Sequence, residues 1–212
     1  MPIPVYNYRT DNANLVVHPE IRGRFMRMQP APAAPMHSHD VAGEIFLVLE
    51  GQCEFLIEDE RVTCGPGQLI YVEPQRKHTL HAIGDEPCVV YLSVTPHVEP
   101  THTRYDEAGC TLPPAYGTWR GKAGDPHPDV TTADLAARYV AATRQLADAA
   151  QANAETVERR HQALRAVATS GDRVALKAEL DALWLGLRAV LWQVSTLERD
   201  WNAVAPRAMP EK

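Results

Sequence analysis

Proline divides this chain in two. Fifteen of its 17 prolines fall at or before Pro128, and none lies between Asp129 and Ala205. Ten of the 12 glycines precede Asp125. A proline inside an α-helix removes a backbone hydrogen bond and clashes with the preceding turn. Long helices are therefore confined to the back of the chain, and the front must be built from short segments joined by turns.

In the front, short apolar runs rich in β-branched and aromatic residues alternate with Gly, Pro and Asp clusters. The candidate strands are Gly23–Gln29, Glu44–Glu50, Gln52–Glu58, Gln68–Glu73, His78–Ile83 and Cys88–Thr95. No helical pattern separates them, so the spacing predicts an antiparallel sandwich or barrel rather than βαβ units. Cys53, Phe55 and Ile57 alternate with Gln52, Glu54 and Glu58, which marks a strand with one wet face. Ile45–Leu49 is apolar on both faces and needs a cover on its outer side.

The back predicts two long helices. Thr131 and Asp134 form a Thr-x-x-Asp capping pattern. Ser170-Gly171-Asp172 supplies a helix-ending glycine followed by a new N-cap. Leu176, Leu180, Leu183, Leu187, Val190, Val194, Leu197, Trp201 and Val204 repeat at 4,3 spacing, an apolar seam about 45 Å long. A weaker seam runs through Leu135, Tyr139, Ala142, Leu146, Val157 and Leu164, interrupted by Asn153. His161 shares that face and is expected to pack between the helices.

Among 212 residues, 45% are hydrophobic and 23% charged, with a formal net charge of −6. An acidic chain is a poor partner for nucleic acid or anionic membranes. The longest apolar run, Leu183–Val194, is short and broken by Arg188, so no membrane span is expected. No basic segment precedes an apolar one at the N-terminus, and a cytoplasmic protein is expected. Cys53, Cys64, Cys88 and Cys110 show no C-x-x-C pairing and are expected as reduced thiols.

His37, His39, Glu44 and His78 carry the chemistry. Two histidines at i and i+2 on an extended segment point to one face. Three imidazoles and a carboxylate form a mixed nitrogen and oxygen ligand set that suits a divalent first-row metal. In full, the pattern is His37-x-His39-x4-Glu44-x6-Gly51, then Gly67-x6-Pro74-x3-His78. It resembles the two signature motifs of the cupin superfamily, small β-barrels that hold a metal inside. The first motif matches in spacing. In the second, Pro74 stands one residue later than the family pattern, and Ala82 replaces a frequent asparagine.

The resemblance covers about Arg24 to Thr95. It implies a mainly β fold: a small antiparallel double-stranded β-barrel of the cupin or jelly-roll type. An antiparallel α-helical hairpin would follow it. The expected domains are residues 1–100, barrel with N-terminal arm; 101–130, linker; and 131–205, helical hairpin. Carried over to this sequence, the metal ligands are His37, His39, Glu44 and His78, and the cofactor is one divalent metal: Fe, Mn, Ni, Zn or Cu.

Such a site with open positions polarises a carbonyl or enediol. The expected function is a small-molecule, dioxygenase-like oxygenase in which Glu44 leaves the metal to act as general base. The competing expectations are an isomerase or lyase on a sugar-like or keto-acid substrate, and a non-catalytic ligand-binding module. Arg24, Arg27, Arg76 and Lys77 are available to an anionic substrate. His97 and His102 are expected in a solvated loop, His81 on the face opposite His78, and Tyr71 and Phe46 in the core. The apolar helical seam, with Trp184, Trp192 and Trp201 near it, predicts a homodimer.

Overall fold

The computed structural model describes residues 3–117 and 125–209. Ten strands precede two helices: β1 (Asn14–His18), β2 (Ile21–Met28), β3 (His37–Ser38), β4 (Gly43–Glu50) and β5 (Gln52–Ile57) come first. Then follow β6 (Glu60–Cys64), β7 (Leu69–Val72), β8 (His78–Ile83), β9 (Cys88–Thr95), β10 (Thr103–Arg104), α1 (Thr132–Ser170) and α2 (Arg173–Val204). Asp125–Arg207 forms one compact unit and the preceding residues another.

The strands make two five-stranded antiparallel sheets, β1-β2-β9-β4-β7 and β10-β3-β8-β5-β6. From β3 onward, every connection except β5–β6 crosses from one sheet to the other. The two sheets thereby share one core. Phe46, Val48, Val72, Val90, Leu92 and Val94 from the first meet Cys53, Phe55, Ile57, Cys64 and Ala82 from the second. The rings of Phe46 and Phe55 stand 5.2 Å apart edge to face, a geometry that favours aromatic pairs. Cys53, Cys64 and Cys88 are buried free thiols in this core, and Cys110 is an exposed one.

The turn from β4 to β5 depends on Gly51. Its φ of +71° is costly for other residues, and a Cβ there would collide with the Pro87 carbonyl and Cys88 Cα. The outer side of β4 is partly covered from within the same unit. Tyr91, register partner of Leu47, stacks edge-on with Phe25 at 5.9 Å, and Tyr8 of the N-terminal arm reaches Phe25 at 6.2 Å. Tyr71, expected in the core, is instead 52% exposed; it alternates with buried Val72 and lies on the outer face against Gly43.

Four strands lie outside the predicted set: β1, β3, β6 and β10. Thr103–Arg104 falls in the stretch read as linker, yet it pairs with β3, Thr103 opposite Ser38 and Arg104 opposite His37. Residues 118–124 of that stretch lie outside the described residues.

The helices form an antiparallel hairpin whose ends follow the expected caps. The Thr131 side chain accepts a hydrogen bond from the Asp134 amide, and Gly171 adopts a left-handed φ of 73°. Asp172 accepts from the amides of Val174 and Ala175, at 3.0 Å each. Asn153, which interrupts the first apolar seam, lies against Gly186 of α2, where a Cβ would meet the Asn153 Oδ1. Arg160 pairs with Glu179 at 2.8 Å, and Tyr139 packs on Trp201 at 5.4 Å. His161, expected between the helices, is exposed. Among the described residues, no helix is long and apolar enough to cross a membrane.

Candidate metal centre

Strand pairing brings the four predicted ligands together. His37 and His78 are register partners across β3 and β8. His39 follows β3 directly, and its carbonyl accepts from the Gln75 amide at 2.7 Å, tying it to the turn before β8. Glu44 comes from the opposite sheet, near the start of β4. His39, Glu44 and His78 are buried, with 4%, 3% and 1% exposure; His37 is half-buried. One ligand atom from each of the four lies within 4.8 Å of all the others. Donors on opposite sides of one ion stand about 4.2 Å apart at ordinary metal–nitrogen distances. The cluster needs only slight closure to share an ion.

The hydrogen bonds say what this cluster lacks. Nδ1 of His78 donates to the Arg76 carbonyl at 2.9 Å. Nδ1 of His39 is held in the same way by the Thr101 carbonyl. A carbonyl only accepts, so both rings carry a proton on Nδ1. In the neutral imidazole Nε2 is then a bare lone pair. These two Nε2 atoms lie 2.9 Å and 3.0 Å from Oε2 of Glu44. With both Nε2 atoms bare, three acceptors converge with no donor among them, and a cation would satisfy all three. Backbone carbonyls that fix the tautomer of ligating histidines are a regular feature of metal sites.

The electrostatics agree. Burial pushes the Glu44 carboxyl up, and only donated hydrogen bonds and positive charge on the His39 and His78 side hold it well below the usual carboxylate range, the part a bound cation would take. Burial, helped by His78, lowers His37 to about 3, leaving the ring neutral and ready to ligate. A carboxylate held so low is a good ligand and a weak proton acceptor, which weighs on the base role expected of Glu44.

Two features escaped the sequence reading. His97 and His102, expected in a solvated loop, are drawn in: His97 is 1% exposed, and its amide donates to the Pro19 carbonyl at 2.7 Å. The segment after β9 folds back because β10 completes the edge beside β3. It places the His102 ring 4.9 Å from those of both His37 and His39. Burial lowers His102 to about 2, so it too is neutral. Its Nδ1 lies 2.8 Å from the Thr101 hydroxyl. His102 lines two adjoining cavities of about 520 and 420 Å³, the second also lined by His37, Arg104 and Tyr105. Such volumes suit a small ligand.

The second feature is Arg22, 3% exposed and on the same inner row as Glu44 through Val94 of β9. Of the basic residues singled out from sequence, Arg24 lies on this inner face with it. Arg27 instead pairs outside with Glu50 at 3.4 Å, and Lys77 lies over the Tyr105 ring at 4.0 Å. His81 faces away from His78 as expected, 3.9 Å from Glu54.

Residues 24–95 match the cupin domain family model. No curated protein sequence matches the chain. Among solved structures, it is similar to the Schizosaccharomyces pombe Cnp3 cupin domain: 16% identity, 44% of this chain, 69% of that one, TM-score 0.42. A cupin 2 domain-containing protein from Halorhodospira halophila gives 22% identity, 43% and 62% coverage and a TM-score of 0.39. The DMSP lyase DddQ from Ruegeria pomeroyi gives 23%, 41% and 43%, with a TM-score of 0.37. Likenesses this distant carry no argument about activity. The motif, the two sheets and the matched family model agree that residues 24–95 form a cupin domain.

Proposed function

We propose that the chain binds one divalent first-row metal through His37, His39, Glu44 and His78 and acts as a small-molecule, dioxygenase-like oxygenase. The carrying observation is the convergence of one ligand atom from each of these four side chains within 4.8 Å of the others, with Nδ1 of His39 and of His78 engaged by backbone carbonyls. A bound metal supplies Lewis acidity and, if redox-active, a route for dioxygen. The chain's own contribution is positional. β3 and β8 present two imidazoles side by side, β4 supplies the negative charge, and His102 faces the cavities as a neutral ring.

A lyase or isomerase acting on a keto-acid is the second reading, supported by the two inward guanidiniums of β2. It needs the same metal but no oxygen. We further propose that the chain is a homodimer, because Leu180, Leu185, Leu187, Leu191, Trp184 and Trp192 of α2 remain about half exposed or more.

The test has two parts. Elemental analysis of protein purified without added metal should give about one equivalent, lost in His37→Ala and His78→Ala. Oxygen uptake with a panel of enolic and phenolic compounds then separates the oxygenase from the lyase. Unchanged metal content in both variants would contradict the ligand set, and turnover without oxygen uptake would favour the lyase.

A further inference from the structure

Arg22 and Arg24 are expensive residues for the inside of a β-sandwich. Along β2 they alternate with Gly23 and share a face with Met26 and Met28, which pack on the core. Burial opposes the charge on both guanidiniums and the Glu44 carboxylate favours it, so all three sense one another across the inner face. Nε of Arg22 and Nε of Arg24 are buried with no hydrogen-bond partner. An idle donor on a buried charged group is costly. Nothing in the packing of β2 against β9 requires two guanidiniums there.

Position ties them to the metal centre. Arg22 is opposite Val94, and Val94 is opposite Glu44, so the arginine and the ligand are about 10 Å apart along one row, two strand spacings. The field of Arg22 also acts on the His102 ring, which lines both cavities. His102 thus borders the open space and lies within the field of the guanidinium.

The charges point the same way. Arg22 lies in the fields of Glu44 and Glu99, and Arg24 in that of Glu44. A divalent ion held by a single carboxylate, Glu44, would leave net positive charge near these guanidiniums. An anionic ligand restores the balance, and a guanidinium fork matches a carboxylate in geometry as well as sign.

We propose that Arg22 and Arg24, with His102 at their cavity side, form an anion subsite that takes the carboxylate of a small substrate whose second oxygen donor reaches the metal. This rests on the metal assignment above and adds the charge class of the ligand. It selects keto-acids, hydroxy-acids and enol-carboxylates over neutral catechols and uncharged sugars.

Calorimetry on the full chain loaded with Mn(II) tests it with two probes. Malonate carries carboxylates; acetohydroxamate chelates metal without one. In Arg22→Gln malonate affinity should fall about tenfold or more, the loss expected for one charge-assisted hydrogen bond, while acetohydroxamate binds as in the wild type. Arg24→Gln gives a second reading if Arg22→Gln fails to fold. Malonate binding unchanged in the folded variants overturns the subsite and leaves the metal assignment intact. If the wild type takes up no metal, malonate is titrated into the metal-free chain. Binding that both variants lose then supports the subsite, and no binding to the wild type overturns it.

Discussion

Oε2 of Glu44 lies 3.0 Å from Nε2 of His78, a ring whose other nitrogen already donates to the Arg76 carbonyl. With Nε2 bare, carboxylate and imidazole meet as two acceptors. In Glu44→Gln the new amide can donate to one of the bare nitrogens. We expect the metal-free variant to be at least as stable as the metal-free wild type, although a buried charge has been altered. Metal-induced stabilisation, about 2.7 kcal/mol at a hundredfold excess over Kd, should be largely lost. Thermal melts with and without added Mn(II) check both halves. A variant that melts well below the metal-free wild type would show that the histidines are charged and donate to Glu44.

Acid should weaken the metal-free protein before its carboxylates titrate in bulk. His37 is held at about 3 and His102 at about 2, chiefly by burial, against 6.5 in the unfolded chain. Below 6.5 the unfolded chain takes up protons that the folded chain refuses. Their contribution is thus fully present above pH 6.5 and lost as pH falls toward 3. Urea midpoints should hold from pH 8 to 6.5 and fall from there to pH 4, and His102→Gln should flatten that slope. Midpoints that do not change with pH would exclude buried neutral imidazoles.

Phe46→Ala should destabilise the cupin domain by about 3–5 kcal/mol, the usual cost of emptying a buried aromatic site. Phe46 is 1% exposed and its ring touches both Phe55 and the metal-site residue His78 at 6.3 Å. Metal affinity should therefore fall with stability, whereas Phe55→Leu should cost less and spare the metal. Denaturant unfolding together with metal titration separates the two effects.

The homodimer predicts that exposed apolar side chains of α2 matter to mass. Trp192, 73% exposed, replaced by Glu should shift the light-scattering mass toward the monomer. Wild-type protein that stays monomeric at every concentration would dispose of the idea.

The metal cluster was legible in the sequence because its spacing encodes strand geometry. An i, i+2 pair on β3, a glutamate at the start of an apolar run and a histidine opening β8 need no knowledge of the loops. Strands with one wet face or a long apolar run were legible for the same reason. The two-residue strands β3 and β10 were not, since no periodicity can be read from two residues, and with β10 went the inward placement of His102. Arg22 was missed, and Arg24 was singled out for an anionic substrate without being placed. Their alternation with Gly23 and register with Met26 and Met28 was visible, although arginine is ordinarily an outward residue. His161 and Tyr71 failed in the opposite sense: each was credited with an interior that its face does not reach.

The carbonyl that orients His39 belongs to Thr101, beyond the last residue of the matched family region. A truncation ending at Thr95 would keep all four ligands and every long strand of the two sheets. It would nevertheless free one imidazole to rotate and remove the edge partner of the strand that carries His37. If the four side chains hold a cation, the smallest piece of this chain that keeps their supports extends at least through Arg104, past the end of the matched region.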